Sequence, residues 1–105
     1  MSASPALILH GGAGVLAARS YDRELAHMAA LARAGRQAML DGASALDAVT
    51  AAVRALEESG LYVAGKGASP NREGRYELDA AVMDGPTRRA GAVSALEGFL
   101  SPVEA

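Results

Sequence analysis

The chain has 105 residues, half of them apolar, a net charge of −2 and no cysteine. That describes one globular domain at most, argues against a nucleic-acid binder, which would cluster Lys and Arg, and excludes a disulfide framework or thiolate metal ligands. No apolar run approaches membrane-spanning length, and Pro5 to His10 is too short and lacks the basic leader of a signal peptide, so a soluble cytoplasmic protein is the default expectation.

Ala6 to His10 is a short run of apolar residues ending in His, which predicts a strand buried on both faces. His10-Gly11-Gly12-Ala13-Gly14 follows, and its glycines allow the backbone to turn sharply and to approach another group closely. A strand exit is one reading of this segment. An oxyanion loop of the lipase type is another, but it requires a G-x-S-x-G elbow, which this sequence does not contain. Ser20 is placed to cap a helix from Tyr21 to Leu40, with Asp22 and Glu24 in the first turn and Leu25, Met28, Ala32 and Met39 on one stripe. His27 has no ligand-type neighbour at helical spacing and reads as a surface or groove histidine. Asp41-Gly42-Ala43 links this helix to a second one, opened by Ser44 with Asp47 at capping-box spacing and closed by Gly60. Leu46, Val49, Val53 and Leu56 form its apolar stripe, and the two helices make a hairpin able to cover one face of a sheet.

The second helix ends on Glu57 and Glu58, where the free carbonyls already carry negative partial charge and no Lys or Arg lies within the turn. Exposed acids tolerating a small repulsion explain this, and so does a hard cation held by the carbonyls. Leu61 to Ala68 is a glycine-punctuated loop, followed by a polar turn from Ser69-Pro70-Asn71 to Gly74. Tyr76, Leu78, Ala80 and Val82 alternate with Glu77, Asp79, Ala81 and Met83, the period of a half-buried strand. Glu77 and Asp79 then lie on its wetted face. Asp84-Gly85-Pro86 is turn chemistry, Arg88-Arg89 reads as solvated turn charge, and Arg89 to Leu100 returns as a hairpin partner. Leu100-Ser101-Pro102-Val103 reads as the start of a further helix.

Six fragments carry a resemblance when taken in order: Ile8-Leu9-His10-Gly11-Gly12-Ala13-Gly14, Ala45-Leu46-Asp47-Ala48-Val49, Leu56-Glu57-Glu58, Ala64-Gly65-Lys66-Gly67, Glu77-Leu78-Asp79-Ala80 and Met83-Asp84-Gly85. Nearly the whole chain resembles the front part of the isoaspartyl peptidase/L-asparaginase family, the plant-type asparaginases among the N-terminal-nucleophile hydrolases. The resemblance implies an α/β fold, part of an αββα sandwich, with residues 1–105 forming a single incomplete domain from the opening of the α-subunit. It implies that His10, Gly11 and Gly12 shape the site through their backbone. It also implies a structural sodium ion held by the main-chain carbonyls of Leu56, Glu57, Ser59, Tyr62, Ala64 and Lys66.

The implied reaction is hydrolysis of isoaspartyl dipeptides or L-asparagine by a threonine freed as a new N-terminus, its hydroxyl activated by its own α-amine. That threonine and the substrate clamp would lie in the missing β-subunit part, within an (αβ)2 dimer. Thr50 falls mid-helix and Thr87 in a turn, neither in the processing context, so no residue of this chain is assigned as catalytic or substrate-binding. The sequence departs from the family pattern at Val63-Ala64-Gly65, where Asn-Ala-Gly is usual, and the hydrogen bond of that Asn is lost. The alternative to an enzyme part is a non-catalytic truncated or binding module that retains only the cation loop. The chain alone is expected to be inactive, and molten, oligomeric or insoluble.

Overall fold

The computed structural model describes residues 4–105. Two antiparallel helices, α1 (Asp22–Leu40) and α2 (Ala45–Ser59), precede a hairpin of β1 (Leu78–Met83) and β2 (Ala90–Leu96). Single 3-10 turns lie at Gly65–Gly67 and Pro102–Glu104. This is an α/β arrangement in which α2 is the central element, packed on α1, on the glycine loop, on β1 and on the C-terminal turn.

The start of α1 differs from the expectation. Tyr21 rather than Ser20 occupies the N-cap position, without a side-chain cap, and the Ser20 hydroxyl only approaches the Asp22 amide at 3.4 Å. The Tyr21 side chain holds the approach instead. Its hydroxyl accepts from the Leu16 amide at 2.8 Å, and the Arg19 guanidinium lies 5.2 Å from its ring centroid. At the other end, Gly42 takes a left-handed φ of +106, and the Ala43 amide turns back to the Ala38 carbonyl at 2.9 Å. The expected stripe of α1 is only partly covered: Met28, Ala32 and Met39 are half-buried, while Leu25 is 66% exposed. No residue of α1 is buried.

Helix α2 follows its predicted limits. The Ser44 hydroxyl accepts from the Asp47 amide at 3.0 Å, and Gly60 closes the helix in the left-handed region at φ +73. Its deepest face is not the Leu/Val stripe. Ala48, Ala52 and Glu57 are buried, while Val49 and Val53 remain exposed. Small alanine side chains let β1 and the C-terminal turn come close on that side, which puts the covered face one step around the helix from the larger residues.

The hairpin pairs Leu78 with Leu96, Ala80 with Val93, Ala81 with Ala92, Val82 with Gly91 and Met83 with Ala90. The inward row Leu78, Ala80 and Val82 is buried or half-buried, and Asp79, Ala81 and Met83 face outward, as the alternation requires. Both strands are shorter than expected. Tyr76 precedes β1, and β2 ends at Leu96 because Gly98 adopts φ +79 and redirects the chain. One extra residue of β2 opposes Asp79, a β-bulge at which Ala95 takes φ 53.

Ala6 to His10 is not a strand. Leu7 and Leu9 are half-buried, and the Leu7 side chain reaches α1, 2.5 Å from where a Cβ at Gly35 would lie. Ile8 points the other way and is 95% exposed. The expected burial on both faces fails because no described residue offers this backbone a ladder partner. The core sits where α2, β1 and the C-terminal turn converge, on Ala48, Ala52, Leu78 and the fully buried Pro102. That turn is a 3-10 turn in place of the further helix expected from Leu100.

Candidate functional site: a glycine loop facing a His-Gly-Gly segment

The loop after α2 is compact because two of its glycines stand against carbonyls. Gly65 has φ +52, and a Cβ there would lie 2.5 Å from the Glu57 carbonyl oxygen. A Cβ on Gly67 would collide with the Tyr62 carbonyl and come within 3.1 Å of that of Gly60. Carbonyl oxygens of Glu57, Gly60 and Tyr62 therefore border the inside of the loop. The Ser59 hydroxyl donates to the Leu56 carbonyl at 2.9 Å and accepts from the Leu61 amide at 3.1 Å. Ala64 donates to the Tyr62 carbonyl at 2.8 Å and Gly67 to that of Ala64 at 3.0 Å. Each of these carbonyls keeps a second lone pair. Lys66 is exposed, its stem running alongside Gly60.

The paired acids at this helix end behave differently from one another. Glu57 is 3% exposed, so it is not a solvated acid. Burial pushes its carboxyl above the ordinary carboxylate range, partly opposed by the Val103 amide that donates to it at 3.4 Å. Glu58 pairs with Arg54 one turn earlier, at 2.9 Å, and Arg54 also reaches Glu104 at 3.0 Å. Sequence reasoning looked for a cation within the last turn and missed Arg54 at i−4, whose side chain spans the gap.

The second wall of the site is the His10–Gly12 segment. Gly12 takes φ +119 with open space around it, and its amide donates to His10 Nδ1 at 3.2 Å. Gly11 has no such room: a Cβ there would lie 2.8 Å from Met28 Cε and 3.1 Å from Tyr62 Cε1. The fold thus brings His10, Gly11 and Gly12 to Tyr62, with Leu56 and Ala64 on the same groove of about 600 Å³. Glu57, Ser59 and Lys66 do not line it. Val63 is 77% exposed at its edge.

Sequence reasoning did not find the group that fixes Tyr62. Its hydroxyl donates to the Glu24 carbonyl at 3.2 Å and lies 3.1 Å from His27 Nδ1, with the two ring centroids 5.7 Å apart. Burial, and secondarily the Glu24 charge, raise the Tyr62 phenol above its ordinary value. The spacing of Glu24, His27 and Met28 puts them on one side of α1 but does not point to Tyr62 as their partner. The two threonines are committed locally: Thr50 Oγ1 donates to the Leu46 carbonyl at 2.8 Å, and Thr87 Oγ1 to Asp84 Oδ2 at 2.5 Å.

A helical hairpin whose second helix packs on a β-hairpin, with a groove between a glycine loop and a His-Gly-Gly turn, defines an α/β chain whose site is shaped by main chain more than by reactive side chains. Residues 3–105 match the family model described as asparaginase, and the chain belongs to that family, the isoaspartyl peptidases and plant-type L-asparaginases. The chain is 45% identical over 102 residues to the isoaspartyl peptidase of Salmonella typhimurium, covering 92% of this chain and 33% of that protein. It is 46% identical over 99 residues to the plant-type L-asparaginase of Pyrobaculum calidifontis, with 92% and 33% covered. To the human isoaspartyl peptidase/L-asparaginase it is 38% identical over 102 residues, with 96% and 33% covered. The chain spans about a third of the length of the curated relatives it matches.

Proposed function

We propose that this chain is the opening part of an isoaspartyl peptidase/L-asparaginase, within an αββα sandwich whose other layers come from the remainder of the enzyme. The observation that carries the reading is the approach of Gly11 to Tyr62, which joins two segments 51 residues apart in sequence into one groove wall. The substrate is an isoaspartyl dipeptide or L-asparagine. A threonine outside this chain, exposed by self-cleavage and activated by its own α-amine, attacks the amide carbonyl. The amine leaves, and water releases the acyl group. His10, Gly11 and Gly12 contribute backbone that bounds the substrate. The working enzyme is an (αβ)2 assembly in the cytoplasm.

The loop from Leu56 to Gly67 would hold a sodium ion through the carbonyls of Leu56, Glu57, Ser59, Tyr62, Ala64 and Lys66. One feature supports this fit: the carbonyl oxygens of Glu57 and Tyr62 stand against glycines, with no side chain at those positions, and hard cations take oxygen ligands. Bound there, the ion would rigidify the loop and so the Tyr62 wall. Val63, standing where the family pattern has Asn, removes a hydrogen bond from the groove edge and shifts preference away from substrates that use it.

The test is to express the full-length protein and follow it by mass spectrometry and N-terminal sequencing. Spontaneous conversion into two pieces, the second beginning with threonine, is expected. A full-length protein that stays intact, or that cleaves before another residue, contradicts the reading.

A further inference from the structure

Tyr62 is touched from three directions, and each contact has a different chemistry. Its ring faces Gly11, whose Cβ position lies 3.1 and 3.3 Å from ring carbons. Its hydroxyl donates to the main-chain carbonyl of Glu24 in α1. A phenol has one proton, and a carbonyl can only accept, so that bond consumes it. The contact with His27 Nδ1 then requires the histidine to be the donor. Both the Nδ1–H tautomer and the imidazolium satisfy this, whereas the Nε2–H tautomer does not.

We infer that His27 is a positioning residue for the site: by donating to the Tyr62 hydroxyl it locks the phenol onto α1, and the locked ring fixes where the Gly11–Gly12 backbone stands in the groove. The next residue, Val63, is exposed and does not hold the chain here. Gly11 has no side chain of its own to anchor the turn, and beside it Gly12 has open space on its side-chain position. The ring of Tyr62 and the end of Met28 are thus the surfaces that define the position of Gly11. A single hydrogen bond from a half-buried histidine reaches the substrate wall through one aromatic ring.

The consequence for catalysis rests on the proposed activity, but the consequence for geometry does not, so the experiment has two arms, both in the full-length protein. In the first, the amide resonances of 15N-glycine-labelled protein are compared for wild type, His27→Ala, His27→Asn and Tyr62→Phe. Asn places an amide N–H near the position of Nδ1 and can donate to the phenol. The Gly11 and Gly12 amides are expected to shift in His27→Ala and Tyr62→Phe and to return toward wild type in His27→Asn. In the second arm, KM for an isoaspartyl dipeptide is expected to rise about three- to tenfold in His27→Ala and Tyr62→Phe with kcat within about twofold, the loss of one neutral hydrogen bond. The double variant should be no worse than Tyr62→Phe, since the two groups act as one unit. Unmoved Gly11 and Gly12 amides in both single variants overturn the inference, as does a His27→Asn protein that behaves like His27→Ala in both arms. Shifted amides in a protein without hydrolytic activity leave the inference standing and remove the proposed function instead.

Discussion

Asp79 Oδ1 accepts a hydrogen bond from the Ala95 amide at 2.8 Å across the hairpin, and Ala95 stands at φ 53. The carboxylate therefore supplies the acceptor that the bulge takes away from the ladder, and holds a non-glycine residue in a left-handed conformation. Its position on the wetted face of β1, read from sequence as simple solvation, has a structural use.

Three substitutions separate these effects. Asp79→Ala should destabilise by about 1 kcal/mol, the net worth of a hydrogen bond, and Asp79→Asn by less because its amide oxygen still accepts. Ala95→Gly should stabilise by about 1 kcal/mol by removing the left-handed strain. Denaturant unfolding of the full-length protein measures all three. A destabilised Ala95→Gly would show that the bulge is not strained.

The open end of the hairpin is closed by Arg75 and Glu97, whose two contacts measure 2.7 and 2.5 Å. The hydrogen bond from Arg75 holds the Glu97 carboxyl below its ordinary value, although burial pulls the other way. A depressed carboxylate contributes stability above its unfolded pKa, near 4.5, and loses it as pH falls through the folded value. Arg75→Gln should lower stability slightly near neutral pH, where the contribution is present but small because both groups are exposed, and should flatten the loss of stability toward pH 3, where the carboxyl is protonated in either protein. Thermal melting from pH 7 to pH 3 checks this. An unaltered acid limb contradicts it.

Gly67 and Gly74 offer a matched contrast. Gly74 has a left-handed φ of +80 and open space, whereas a side chain on Gly67 would meet the carbonyls of Tyr62 and Gly60. Gly67→Ala should cost about 1–3 kcal/mol through overpacking and open the loop, with Gly74→Ala nearer 1 kcal/mol from backbone strain alone. If the loop holds sodium, Gly67→Ala should also abolish any rise in melting temperature on exchanging a large organic cation for sodium. Equal costs at the two positions would show that the carbonyls are not packed around Gly67.

Much of this architecture was readable from the chain because its signals are local. Ser44 with Asp47, Gly60 after Ser59, and the alternation from Leu78 to Met83 act within a few residues, and the structure reproduces them. The misreadings involve distant partners. Ala6 to His10 carries a strand-like pattern, but pattern does not supply the neighbouring backbone. Glu57 looked solvated because its cover, Val103, lies 46 residues away. The contact between His27 and Tyr62 spans 35 residues, and neither residue type at its own position announces it. Backbone-built sites are legible as glycine spacing, whereas the side chains that brace them are not.

The small core bears directly on how the isolated chain behaves. Among the described residues the buried apolar side chains are Ala48, Ala52, Leu78 and Pro102, while Ile8, Val15, Leu16 and Leu100 are exposed. Fixing each residue costs on the order of 1–2 kcal/mol of entropy, which so little burial barely offsets. The 105-residue chain alone should bind a hydrophobic dye, self-associate and melt without a sharp transition. A monomer with a cooperative melt would mark it as an independent domain and favour a binding module over an enzyme part.

The most direct measurement is hydrolysis of an isoaspartyl dipeptide and of L-asparagine by three samples: the 105-residue chain, the separately made threonine-led remainder, and the two refolded together. The account predicts ammonia or amino-acid release from the combined sample alone, lost when the leading threonine is replaced by alanine. Activity in the 105-residue chain by itself, abolished by a single substitution within it, would contradict the claim that its catalytic threonine lies elsewhere.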